Sequence, residues 1–150
     1  MKLKIKNVPS SKVAYIRKVG PYGEDNFKTM NKLKKWAKDH QLLKDSIIFA
    51  RIHDNPIFTP PENCRYDACI IIDEDLKTEE SSLKSDFIHG GRYAVLETEH
   101  TEAGVQKAWD YVYNSIGEKR INYNQSKPIL ERYKDELVKK NKCEICVPIK

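Results

Sequence analysis

The feature that most narrows the fold is an internal echo. Val13-Ala14-Tyr15 leads out of an alternating stretch into a helical one, and Tyr93-Ala94-Val95 later does the same. Each helical stretch is followed by further strand-like runs, the last being Asp67-Ala68-Cys69-Ile70-Ile71-Ile72 in one half and Cys143-Glu144-Ile145-Cys146-Val147-Pro148-Ile149 in the other. Strand-like runs outnumber helices, which predicts an α+β fold with an antiparallel sheet and the helices on one face. The expectation is therefore two β-α-β-β units, about residues 1–80 and 81–150, joined about a pseudo-twofold axis as a single domain over 1–150. Two helices side by side on one sheet leave a groove between them, where a small ligand would sit.

The segments follow from periodicity. Lys12 to Val19 sets Val13, Tyr15 and Arg17 against Ala14, Ile16 and Lys18 and stops at Gly20-Pro21, which predicts a strand. From Glu24 to about His40 the spacing is helical, with Phe27, Met30, Leu33 and Ala37 inward and Trp36 beside them. Ser46 to Ile52 reads as a strand. Pro56, Pro60 and Pro61 then exclude both a helix and a central strand before Arg65 to Ile72. Ser85 to Ile88 and Tyr93 to Glu99 read as strands either side of a Gly90-Gly91 turn. Thr101 opens a second helix carrying Val105, Ala108, Trp109, Val112, Tyr113 and Ile116 on one stripe, with Gly117 as its stop. Ile129 to Tyr133 and Cys143 to Ile149 read as the last strands, and the runs 67–72 and 143–149 as central ones.

Composition excludes several classes. No apolar run approaches the roughly 18 residues that a spanning helix needs, so no membrane partner is expected. The opening MKLKIKNVPSS lacks the continuous apolar core of a secretory leader, which points to a cytoplasmic protein. The net charge is +5, from 27 basic and 22 acidic residues. The basic clusters at 32–38 and 139–142 sit beside acids rather than forming the one-sided stripe that nucleic acid requires. Cys143-x-x-Cys146 has metal-like spacing, but two residues three apart on a strand point to opposite faces. Together with Cys64 and Cys69 these thiols read as small buried hydrophobes, and neither metal nor cofactor is expected.

Three segments in order resemble the GyrI-like small-molecule-binding family, the effector-binding domain of AraC-type and MerR-type regulators. They are Val13 to Tyr22 with its Gly-Pro-Tyr turn, Asp54 to Cys69 with its Pro-rich loop and following strand, and Pro128-Ile129-Leu130-Glu131-Arg132-Tyr133 with the closing 144–149. The resemblance spans roughly residues 3 to 149 and implies a two-repeat module that binds amphipathic, often cationic aromatic compounds between its helices. With no helix-turn-helix ahead of the first strand, the chain resembles the stand-alone members. One departure is His100-Thr101-Glu102-Ala103-Gly104, where the family often carries a second Gly-Pro-type turn.

Glu131 and Tyr133 share one face of their strand, so a groove there would set a carboxylate among aromatic rings. Desolvating such a charge costs several kcal/mol, on the order given for buried ions, and a bound cation would offset much of that. Trp109 and Tyr113, one helical turn apart, are neighbouring rings, with Tyr22 and Phe58 at the expected rim. No nucleophile elbow, phosphate loop, zinc helix or dinucleotide fingerprint is present, and the four histidines show no ligand spacing. Binding is therefore expected rather than catalysis. The resemblance also implies two alternatives: hydrolysis of reactive cyclopropane-bearing compounds, with Glu131 and Tyr133 as the working pair, and a DNA gyrase partner.

Overall fold

A computed structural model describes residues 1–76 and 83–150. Its strands are β1 (Leu3–Val8), β2 (Ser11–Val19), β3 (Ile47–Ile52), β4 (Arg65–Ile71), β5 (Lys84–Ile88), β6 (Gly91–Glu99), β7 (Ile129–Lys134) and β8 (Lys142–Pro148). The helices are α1 (Asp25–Asp39), α2 (Glu102–Gly117) and the one-turn α3 (Asp135–Val138). All eight strands form one antiparallel sheet in the order β1-β6-β8-β7-β3-β4-β2-β5. This is the expected α+β fold. The boundary expected near residue 80 lies outside the described residues.

The duplication is visible in the pairing. In one half β2 pairs β4 and β4 pairs β3; in the other β6 pairs β8 and β8 pairs β7. The halves join where β3 pairs β7. The repeat is longer than the sequence suggested, because the lysine-rich opening forms β1, a strand missed by its half-exposed pattern. β1 pairs β6 of the other half, and β5 pairs β2, so each half lends its leading strand to the other.

That exchange corrects the reading of Gly90-Gly91 as a hairpin turn, since β5 and β6 do not pair. The segment is instead where two crossing connections touch. A Cβ at Gly90 would lie 2.4 Å from the Val8 carbonyl oxygen and 2.5 Å from the Ser10 nitrogen. The Gly90 amide also donates to Ser10 Oγ at 2.9 Å. Only glycine allows the backbones to approach so closely.

β4 and β8, expected among the central strands, are interior and flank the innermost pair β7–β3, which the sequence did not single out. α1 packs on β2 and β4, and α2 on β6 and β8, so each helix sits over the outer strands of its own half. Beneath α1 lie Met30, Leu33, Trp36 and Ala37 against Ala50, Ala68 and Ile70; beneath α2 lie Ala108 and Val112 against Leu96, Ile145 and Val147. Phe27, expected inward, is 68% exposed. Thr29 takes a buried place instead, as the stripe turns with the true 3.6-residue period. A third cluster, unforeseen, lies on the helix-free face: Val13, Phe49, Cys69, Tyr93, Leu130 and Cys146, closed by Val8 and Ile88 from the exchanged strands.

Candidate functional site

The ion pairs between strands locate the pseudo-twofold axis. Arg51 on β3 pairs with Asp67 on β4, and Arg132 on β7 pairs with Glu144 on β8, at 3.1 and 2.9 Å. The offset that relates Arg51 to Arg132 also relates Ala50 to Glu131, and these two residues oppose each other in the β3–β7 ladder. The axis therefore passes between Ala50 and Glu131. Ala50 belongs to the cluster under α1, so both residues occupy the helix-bearing face.

Two elements hold the Glu131 carboxylate. Trp109 Nε1, from α2, donates to Oε2 at 2.7 Å, and the Tyr133 hydroxyl, two residues along the same strand face, donates to Oε1 at 2.7 Å. No Lys, Arg or His lies within ion-pair distance of it among the described residues. Burial raises the Glu131 pKa above the ordinary 4.5, and the two hydrogen bonds pull partly against that. The contrast with the other buried carboxylates is plain. Asp67 is held by Arg17, Arg51 and His53, and Glu144 by Arg132, with Lys6 and Lys134 close by.

Rings surround this acid. Trp109 and Tyr113 stack at a tilt, with centroids 5.4 Å apart, and His100 lies against Tyr133 at 5.3 Å. Burial pushes the Tyr113 phenol up to about 12 and Tyr133 well above its usual value, where the Glu131 charge adds to the effect. Both hydroxyls therefore stay protonated and available as donors. His100, at the departure from the Gly-Pro pattern, was not among the expected site residues. Burial lowers its pKa, helped by Lys34, which favours the neutral ring.

Tyr22 is fixed at one end of the strip. Its hydroxyl donates to the Arg65 carbonyl at 2.8 Å and accepts from the Asp54 amide at 3.2 Å. Asp54 in turn clamps the Arg65 guanidinium through both oxygens, which pins the Pro-rich loop to the start of β4. Next to this clamp a cavity of about 40 Å³ is lined by Asp54, Asn55, Tyr113, Ile116, Tyr123 and Ile129. Phe58 stands apart from the other rings: it is 84% exposed and makes no ring contact among the described residues. Tyr123, which sequence reasoning missed, lies in a loop with no periodicity to mark it.

The four cysteines are free and buried. Burial lifts the Cys69, Cys143 and Cys146 thiols to about 12, which keeps them protonated and unreactive at neutral pH. No helix among the described residues is long and apolar enough to cross a membrane.

The duplicated α+β sheet gives the fold class, and comparison with known proteins gives a small-molecule-binding class and the family. The chain matches the model of the GyrI-like small molecule binding domain over residues 1–150 and belongs to that family. It is 35% identical over 150 residues to the SPbeta prophage-derived protein YosT of Bacillus subtilis (strain 168), covering 99% of each chain. It is 31% identical over 118 residues to a protein of Pectobacterium carotovorum named DNA gyrase inhibitor, covering 77% of this chain and 76% of that one. Its fold is similar to that of SAV2435 bound to tetraphenylphosphonium, with a TM-score of 0.64 and 15% identity, covering 100% of this chain and 94% of that one.

Proposed function

We propose that the protein binds amphipathic aromatic cations on the strip of sheet between α1 and α2, with Glu131 as the charge-selecting residue. The observation that carries this reading is a carboxylate on the pseudo-twofold axis, hydrogen-bonded by Trp109 and Tyr133 and answered by no cation among the described residues. A bound cation supplies the missing charge, and the Trp109, Tyr113 and Tyr133 rings add cation–π attraction of roughly 0.5 to 2 kcal/mol per well-placed ring. Neutral donors on both oxygens hold the carboxylate in one orientation without cancelling its charge. Tyr22 forms the rim on this reading; Phe58 belongs to the site only if the Pro-rich loop folds inward on binding.

Calorimetric titration tests this with a matched pair of ions. Tetraphenylphosphonium is expected to bind and tetraphenylborate, its anionic counterpart in size and shape, to give no saturable heat. Equal binding of the two would remove charge selection from the account.

One observation favours a second reading, hydrolysis of an electrophilic cyclopropane-bearing compound. The raised Glu131 pKa, beside the Tyr133 hydroxyl, gives a base nearer to neutral than an ordinary carboxylate. Ring-opened product in an incubation with such a compound, lost in Glu131→Gln, would establish this reading; intact compound retained on the protein would leave the binding role alone.

A further inference from the structure

The helix-free face carries a second cavity, of about 240 Å³, whose chemistry is opposite to that around Glu131. Arg51 lines it and is only 4% exposed. Its Nε donates to Asp67 Oδ2 at 3.1 Å and its Nη1 to Asp86 Oδ2 at 3.0 Å, while Nη2 is buried with no hydrogen-bond partner among the described residues. An unpaired guanidinium donor in the interior is costly, and natural structures rarely leave one unanswered.

The charges nearby do not balance. Asp67 is shared by Arg17, Arg51 and His53, and Asp86 is half exposed on the edge strand β5. Lys127, on the opposite wall, donates only to the Gly90 carbonyl at 3.1 Å and meets no carboxylate among the described residues. Of the charged side chains that line the cavity, Arg51 and Lys127 thus face one carboxylate, Asp86, a surplus of positive charge around a concave space. The rest of the lining sets the polar His53, His89 and Ser126 beside the apolar and aromatic Phe87, Tyr93 and Leu130. The volume falls below the roughly 300 Å³ at which pockets for drug-sized ligands begin, which sets the guest at one or two rings.

We propose that this cavity is a second ligand site, for a small aromatic carboxylate, with its acid group between Arg51 and Lys127 and its ring against Tyr93 and Leu130. The site shares strands β3 and β7 with the Glu131 site but opens on the opposite face, so the two select ligands of opposite charge.

The test titrates 2-naphthoate into the full chain, follows backbone amide shifts by NMR, and uses 2-naphthamide and inorganic phosphate as controls. Saturating shifts are expected around Tyr93, Lys127 and Leu130, with the Trp109 indole signal unmoved and with both controls at least five-fold weaker. Two surface substitutions are expected to act in opposite directions. Lys127→Gln weakens naphthoate at least five-fold, whereas Asp86→Asn tightens it several-fold, because it releases Arg51 Nη1 to the ligand. Shifts centred on Trp109, equal binding of 2-naphthamide, phosphate binding as tightly as naphthoate, or both variants moving affinity in one direction or neither would each overturn the assignment.

Discussion

Ala50 and Glu131 face each other across the central strand pair, at the register position where the two halves of the sheet meet. One half places a methyl group there and the other a carboxylate. A duplicated scaffold has thereby acquired one acid at its axis rather than two, which avoids the repulsion that would force one of a close carboxylate pair to stay protonated. Ala50→Asp creates such a pair. Its expected effect is an upward shift of the Glu131 titration, read by NMR of the side-chain carboxyl carbon, and weaker cation binding at neutral pH.

The pH dependence of binding follows from the raised Glu131 pKa. Only the ionised acid attracts a cation, so affinity for tetraphenylphosphonium should be flat at high pH. It should fall as pH drops through the Glu131 pKa, beginning above the ordinary glutamate value of 4.5. The same shift has the opposite sense for folding. The native state holds its proton more tightly than the unfolded chain, so Glu131 lowers stability as pH rises from 4.5 through the folded pKa. Denaturant titrations with and without the cation, compared with Glu131→Gln, resolve the two effects.

Trp109 is the reporter of the site. The chain has two tryptophans, and Trp36 packs beneath α1, stacked on His40. Binding of tetraphenylphosphonium should change tryptophan emission in wild type and in Trp36→Phe but not in Trp109→Phe. In Trp109→Phe the ring remains but the Nε1 donor is gone, so Glu131 should titrate higher still.

On the other face, Asp67 anchors Arg17, Arg51 and His53. Burial alone would raise its pKa, but the hydrogen bonds from His53 and Arg17 and the charge of Arg51 outweigh it, holding the carboxyl well below the usual range. Asp67 therefore contributes stability that is present above its unfolded value near 3.8 and is lost as pH falls toward its folded value. Asp67→Asn leaves cations buried without their counter-charge and should cost about 3 to 5 kcal/mol in urea unfolding at neutral pH.

Much of this architecture was legible in the residues. The repeated strand-helix-strand-strand order set the fold, and the shared face of Glu131 and Tyr133 followed from strand alternation alone. What escaped was non-local. β1 hides because its lysines alternate with residues that stay half exposed at a sheet edge, so its pattern carries little burial signal. The strand exchange at Gly90 depends on a contact with Val8 and Ser10, far away in the chain, and glycine in a turn looks the same as glycine in a crossing. Arg51 and Asp67 gave no local cue that they would be buried together, and the helix-free cluster exists only because exchanged strands close over it.

Gly90 tests the exchange. Gly90→Ala places a Cβ against the backbone of residues 8–10, which cannot yield as a flexible side chain would. The expected loss is about 1 to 3 kcal/mol, as for other overpacked sites, with cation affinity unchanged because the site lies on the opposite face. Unaltered stability in urea would mean that the crossing is looser than described.

The central claim is that Glu131 selects for positive charge, and the most direct measurement is the affinity of tetraphenylphosphonium for wild type and for Glu131→Gln. Glutamine keeps an oxygen acceptor in place but removes the charge. The account predicts a ten- to thirty-fold loss, about 1.4 to 2 kcal/mol, with triphenylphosphine oxide, a neutral analogue, binding both proteins equally. Equal affinity of the two proteins for the cation would contradict it.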